Sequence, residues 1–180
     1  PGCDTGKGTW TMQGFSPPFT CDTELSVSSS NARAYLIFHL PKDEAFSPNN
    51  RIGITGTFVY MGQYCFGLAE QDTNVGYLGE YCNNGEWFIY TISNAGAITG
   101  TLKQGISPSP GVNVQFSKNI ALTLQGATLT FSIGSSEMYN VTISPIQPVS
   151  VAITYLVKGE IGGTPRSMTV NNFGYTVVSS

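Results

Sequence analysis

The side chains that most often do chemistry are scarce in this chain: one histidine, four cysteines and eleven Asp or Glu residues. A serine hydrolase needs a nucleophile, a base and an orienting acid, and its α/β form carries a G-x-S-x-G elbow that is absent here. His39 lies in Tyr35-Leu36-Ile37-Phe38-His39-Leu40, a strand pattern, and reads as a structural histidine. With one histidine and no C-x-x-C, zinc lacks ligands. Glycoside hydrolysis needs two carboxylates about 5 to 10 Å apart. Glu70 and Asp72 form an E-x-D at a turn, while Glu80 and Glu86 flank a hairpin and point to different faces in the register derived below; all four read as solvated turn and edge charges. Gly159-Glu160-Ile161-Gly162-Gly163 is not followed by Gly-Lys-Ser/Thr and is no phosphate loop. Asn140-Val141-Thr142 matches an N-glycosylation acceptor, which matters only in a eukaryotic source. No loop has EF-hand spacing, so calcium is not indicated. The expectation is a protein with no catalytic residues, no metal site and no cofactor.

The cysteines point elsewhere. Cys3 and Cys21, and then Cys65 and Cys82, are separated by 18 and 17 positions, which favours the bridges Cys3–Cys21 and Cys65–Cys82 among three connectivities. Two disulfides imply an oxidising compartment, hence an extracellular or cell-surface location; the alternative is four buried thiols in a reducing one. No apolar run approaches the roughly 20 residues that span a bilayer, so no membrane insertion of this segment is expected. The start at Pro1, without a basic-then-apolar leader, reads as a processed or trimmed ectodomain.

Strands must position these residues. Lys, Arg, Asp and Glu make up only 11% of the 180 residues, against roughly 25% in ordinary soluble chains, and 21 glycines help to replace them. Long helices usually carry charge on their wet face, so this mixture points to an all-β fold. Net charge is −3 with no basic cluster, which argues against nucleic-acid binding. Short β-branched and aromatic runs predict ten strands, at 34–40, 51–60, 63–70, 76–82, 87–93, 121–125, 128–133, 139–143, 149–157 and 169–178, enough for two sheets. The stretch 105–113, with Pro108, Pro110 and Gly111, reads as a loop, and 41–50 holds a single helical turn at most. One domain over 1–180 is expected, with residues 1–33 an N-terminal segment tied by Cys3–Cys21 and 34–178 the sandwich body.

The middle hairpins can be taken further. A turn at Asp72-Thr73-Asn74-Val75 sets Cys65 opposite Cys82. Asn84-Gly85 suits a two-residue type I′ turn, since both positions need positive φ, and this sets Cys82 opposite Trp87. One face then collects Cys65, Leu78, Cys82, Trp87 and Ile89, and the other Tyr64, Phe66, Tyr77, Tyr81, Phe88 and Tyr90. The first is expected to pack inward and the second to line a cleft. The reverse assignment, and tyrosines as ordinary core residues between two covered faces, remain open.

Residues 34–178 resemble the concanavalin-like, laminin-G-like jelly-roll domains found in bacterial extracellular surface and sensor proteins. The resemblance lies in the Tyr-rich strand, Gly turn and Trp strand of Gly76–Tyr90, the alternating pair Ile120–Ile133 about Gly126, the short strand Tyr139–Ile143, the Gly159–Gly162 segment and Asn172-Phe173 in the closing strand. It implies an antiparallel two-sheet β-sandwich and, for many members, a carbohydrate or matrix ligand. Jelly-roll glycosidases carry E-x-D-x-x-E on one strand, and this chain does not.

The expected function is that of a non-catalytic extracellular module binding a glycan, or another surface partner, through an aromatic concave face. Tyr64, Tyr77, Tyr81 and Tyr90 are the candidate ring platforms. A protein-interaction, adhesion or sensor ectodomain without a glycan ligand is the alternative, and a hydrolase or lyase with an unrecognised site the lesser one.

Overall fold

The computed structural model describes residues 9–13, 24–27, 33–39, 46–58, 62–111, 115–135, 137–158 and 166–179. In chain order the strands are β1 (Thr9–Gln13), β2 (Glu24–Val27), β3 (Arg33–His39), β4 (Asn49–Phe58), β5 (Gln63–Gln71), β6 (Val75–Cys82), β7 (Glu86–Ser93), β8 (Ile98–Ile106), β9 (Phe116–Gln125), β10 (Thr128–Ile133), β11 (Glu137–Thr142), β12 (Ser150–Lys158) and β13 (Arg166–Val177). Two antiparallel sheets result, a seven-stranded one in the order β1-β3-β12-β5-β6-β7-β8 and a six-stranded one in the order β11-β10-β9-β4-β13-β2. This is a β-sandwich jelly roll, and among the described residues no helix is long and apolar enough to cross a membrane.

Alternation along the strands dictates the layering. Leu129, Phe131 and Ile133 of β10, Ile120, Leu122 and Leu124 of β9, and Ile52, Ile54 and Phe58 of β4 turn one way. They meet Leu36, Phe38, Phe66, Leu68, Ile153 and Tyr155 of the larger sheet in one continuous core. Burying each such side chain contributes about 1.5–3 kcal/mol. Two glycines let the layers approach. A Cβ at Gly79 would lie 2.4 Å from the Phe131 ring, and one at Gly56 would lie 2.9 Å from Phe66.

Each of the ten expected strands is present with its ends shifted by a few residues, and β1, β2 and β8 are additional. The β5–β6 register is as expected: Cys65 stands opposite Cys82, bonded as a disulfide, and Asp72 caps the turn by accepting from the amides of Asn74 and Val75, both at 2.7 Å. Cys3, Cys21, residues 41–45 and residues 159–163 lie outside the described residues.

The β6–β7 register differs from the expected one by one residue: Tyr81, not Cys82, faces Trp87. Gly85 (φ 96°) is the only loop position at positive φ, and the Gly85 N–H bonds the Cys82 carbonyl at 2.9 Å, so the loop has three residues rather than two. Asn83 decides this. Its buried amide accepts from the Tyr64 N–H and donates to the Gly62 carbonyl, while its own N–H bonds the Tyr64 carbonyl, fastening it to the start of β5. A slip of one residue moves every β7 side chain to the other face. Trp87 and Ile89 therefore join Tyr64, Phe66, Tyr77 and Tyr81 in the core, and Phe88 and Tyr90 join the disulfide on the outside. The tyrosine-rich face is the inward one, contrary to the expected assignment.

Candidate functional site

Three of the four candidate ring platforms are core residues. Tyr64 stacks on Phe58 with centroids 4.2 Å apart, Tyr77 donates to the Ser144 carbonyl, and Tyr81 is fully buried with its hydroxyl on the Pro108 carbonyl. Burial pushes the Tyr64 and Tyr81 hydroxyls up to about 12. None of the three can stack on a ligand outside the sandwich. Tyr90 alone stands on the outer face of the seven-stranded sheet, half-buried and stacked on Phe88 at 5.2 Å.

That outer face has a built relief. Following the register, Tyr35, Thr154, Gly67, Glu80 and Phe88 form one row across the sheet, and Ile37, Ala152, Ala69, Leu78 and Tyr90 form the next. Small residues on β12 and β5 make a shallow floor, with Tyr35 and Ile37 of β3 on one side and Phe88 and Tyr90 of β7 on the other. At Gly67 even a methyl group would not fit, since it would lie 2.8 Å from the Thr154 hydroxyl and 2.9 Å from Leu78.

Two side chains bridge this trough. Arg33 reaches from β3 over β12 and β5 to Glu80 on β6, donating through Nε and Nη2 to the two carboxylate oxygens at 2.8 and 2.9 Å. Its guanidinium also lies 5.8 Å from the centre of the Tyr90 ring. Burial opposes the Arg33 charge, but the hydrogen bond and the Coulomb attraction of Glu80 outweigh it. Burial, and secondarily the Glu80 charge, push the Tyr90 hydroxyl up to about 12, so it stays a neutral donor. Tyr35 donates to the Gly96 carbonyl and so ties the β7–β8 turn over the face. Between them lies a cavity of about 180 Å³ lined by Tyr35, Ile37, Gln71, Ile92, residues 94–96, Ser150 and two alanines. It offers an aromatic wall, an amide and a hydroxyl, in a space below the roughly 300 Å³ where sites for drug-sized ligands begin.

The slipped register also revises the acids. Glu80 and Glu86 share this outer face instead of pointing apart. Both oxygens of Glu80 are held by Arg33, and Glu86 accepts from the Asn84 amide. Glu70, expected to be a solvated charge, is fully buried on the inner face. Cys65, Glu80 and Cys82 lie close enough together to hold a metal ion, but the two sulfurs are joined as the disulfide and Glu80 is occupied by Arg33. Arg33, Tyr35 and Gln71 were not singled out from sequence. The alternation of Arg33, Tyr35 and Ile37 in β3, beside the small residues Gly67 and Ala69 in β5, was the available signal.

No family model matches this chain, and no curated protein matches it. Solved structures do. A carbohydrate-binding module, CBM66, from Bacillus subtilis superposes with a TM-score of 0.64 at 11% identity, covering 94% of this chain and 96% of that one. The β-glucanase of Bacillus licheniformis gives 0.63 at 11% identity, with 96% and 93% covered. The exoplasmic/lumenal domain of VIP36, in its Ca2+- and Man-bound form, gives 0.61 at 9% identity, with 95% and 84% covered. The fold is therefore the galectin-like and concanavalin-like jelly roll. That fold serves carbohydrate binders and glycan-cleaving enzymes alike, and at these identities it specifies the architecture alone.

Proposed function

We propose that this chain is a non-catalytic glycan-binding module whose site is the trough on the outer face of the seven-stranded sheet. The observation that carries the reading is the cavity between Tyr35 and the 94–96 turn, set beside the half-buried Tyr90–Phe88 pair. A sugar ring presents C–H faces to aromatic rings and hydroxyls to amides, and the trough offers both on a floor of small residues. The presence of a carbohydrate-binding module and a mannose-bound domain among structures of the same fold supports this assignment. The disulfide Cys65–Cys82 supports an extracellular or cell-surface location as part of it.

The test is a glycan-array screen of the purified protein beside Tyr90→Ala and Gln71→Ala. A specific neutral-glycan signal lost in both variants supports the assignment. A blank array, or signal unchanged in both, refutes it and favours a protein-binding surface.

One observation favours a second reading, a glycoside hydrolase or lyase: Glu80 and Glu86 share the face, on diagonal positions of neighbouring strands. Arg33 occupies both Glu80 oxygens, which counts against proton transfer there. Shortening of a polysaccharide, abolished by Glu86→Gln, would establish the enzyme; a binder leaves chain length unchanged.

A further inference from the structure

The opposite side of the sandwich carries a second concavity of different chemistry. On the outer face of the six-stranded sheet, Thr55, Thr57, Ser117, Asn119, Thr123, Thr130 and their neighbours form a hydroxyl and amide surface. Arg51 is the one charged side chain among the outward positions of β4, β9, β10 and β11. Among the described residues no carboxylate lies within ion-pair distance of it.

β13 breaks register beside this arginine. Two residues, Asn172 and Phe173, oppose the single Ile54 between the pairs Asn171–Thr55 and Gly174–Gly53, a β-bulge. Asn172 has φ 57°, and among the described residues it is the one non-glycine at positive φ. Bulges re-aim side chains, and strained backbone gathers where function requires it. Here the bulge turns Asn172 outward, where its Nδ2 donates to the Thr55 hydroxyl at 3.2 Å, and that hydroxyl donates to Asn119 Oδ1 at 2.7 Å. The chain of bonds leaves Asn119 Nδ2 as a donor and Asn172 Oδ1 as an acceptor.

The facing glycines Gly53 and Gly174 form the floor of a cleft of about 230 Å³ lined by Arg51, Thr55, Asn119 and Asn172. A Cβ at Gly174 would meet nothing nearer than 3.9 Å, so the space above it is open.

We infer that this cleft binds a carboxylate-bearing saccharide unit, a uronate residue. Arg51 takes the carboxylate in a two-pronged contact, and the amides and hydroxyl of Asn119, Asn172 and Thr55 take the ring hydroxyls. The lining has no aromatic ring and no outward apolar side chain, so the occupant is polar on all sides. A single unpaired cation demands a single negative group. The site lies on the other side of the molecule from the trough and does not depend on it.

The experiment is calorimetric titration of the full chain with trimers of galacturonate, glucuronate and mannuronate, against a neutral galactose trimer and a triglutamate peptide. Four proteins are compared: unaltered, Arg51→Gln, Gly174→Ala and Tyr90→Ala, each checked by circular dichroism and thermal melting. Gly174→Ala is the fold-neutral block, because φ at Gly174 is ordinary and its methyl group enters the open cleft. The expected result is binding of at least one uronate trimer that falls at least tenfold in Arg51→Gln and in Gly174→Ala and is unchanged in Tyr90→Ala. Any of these outcomes overturns it: no uronate binding, binding of the neutral trimer by Tyr90→Ala as tight as that of the uronates, equal binding of triglutamate, or affinity unchanged in Arg51→Gln or in Gly174→Ala. Uronate binding lost only in Tyr90→Ala would also overturn it, while leaving the trough assignment standing.

Discussion

Glu70 and Glu80 are buried carboxylates on neighbouring strands of one sheet, and they face opposite ways. Glu80, on the outer face, is neutralised by Arg33, whose long side chain crosses two strands of the sheet to reach it. Glu70 faces the space between the sheets, where the Asn50 amide donates to one oxygen at 2.6 Å. Among the described residues its other oxygen and Asn50 Oδ1 have no partner. Burial pushes Glu70 up to about 8, the Asn50 hydrogen bond partly opposing, so a proton takes the place of the arginine. The same contrast separates Tyr81 from Tyr90. The closed middle of the inner face holds its carboxyl group neutral and its rings packed, whereas the outer face can hold charge and leave rings half open.

The sharpest way to break this contrast is truncation of the two tyrosines. Tyr81→Ala is expected to cost about 4 kcal/mol in denaturant unfolding, as for other large buried side chains, and Tyr90→Ala about 1 kcal/mol or less. Equal losses would mean that the outer face is also core. Next in size, Arg33→Met leaves Glu80 buried and unpaired and should cost about 3 kcal/mol, while Arg33→Met with Glu80→Leu should regain most of it. The double variant's denaturation midpoint decides the matter.

The smallest effect concerns pH. Between about pH 4.5 and 8 the folded chain keeps the Glu70 proton that the unfolded chain has released. Stability from this group is therefore complete at the acid end and falls as pH rises, by up to about 1.4 kcal/mol per unit. Glu70→Gln keeps an acceptor for Asn50 and should flatten that slope in thermal melts at several pH values. A slope unchanged by the substitution would show that Glu70 ionises freely in the fold.

Much of the fold was legible because alternation and turn chemistry agree over most of the chain. The Asp72 turn set the Cys65–Cys82 register from local residues alone. The next turn was not legible, because its length depends on what Asn83 touches in β5, a contact distant in sequence. That one residue reversed the β7 faces, and with them the assignment of Tyr64, Tyr77 and Tyr81. β8 escaped notice for another reason: Gly100, Lys103 and Gly105 interrupt its apolar pattern, and pairing with β7 orders it. Of the four candidate ring platforms only Tyr90 belongs to the trough, and Arg33 and Tyr35 gain their meaning from strands far along the chain.

The Asn83–Gly85 loop has a consequence for how such a protein can change over generations. A connection that crosses from one sheet to the other can gain or lose a residue and merely reshape the surface. Here a single insertion or deletion would exchange Trp87 and Ile89 for Phe88 and Tyr90 across the whole sheet, emptying part of the interior and exposing an indole. Homologous chains should therefore vary this loop in steps of two or not at all, and its length, more than any residue within it, should mark descent.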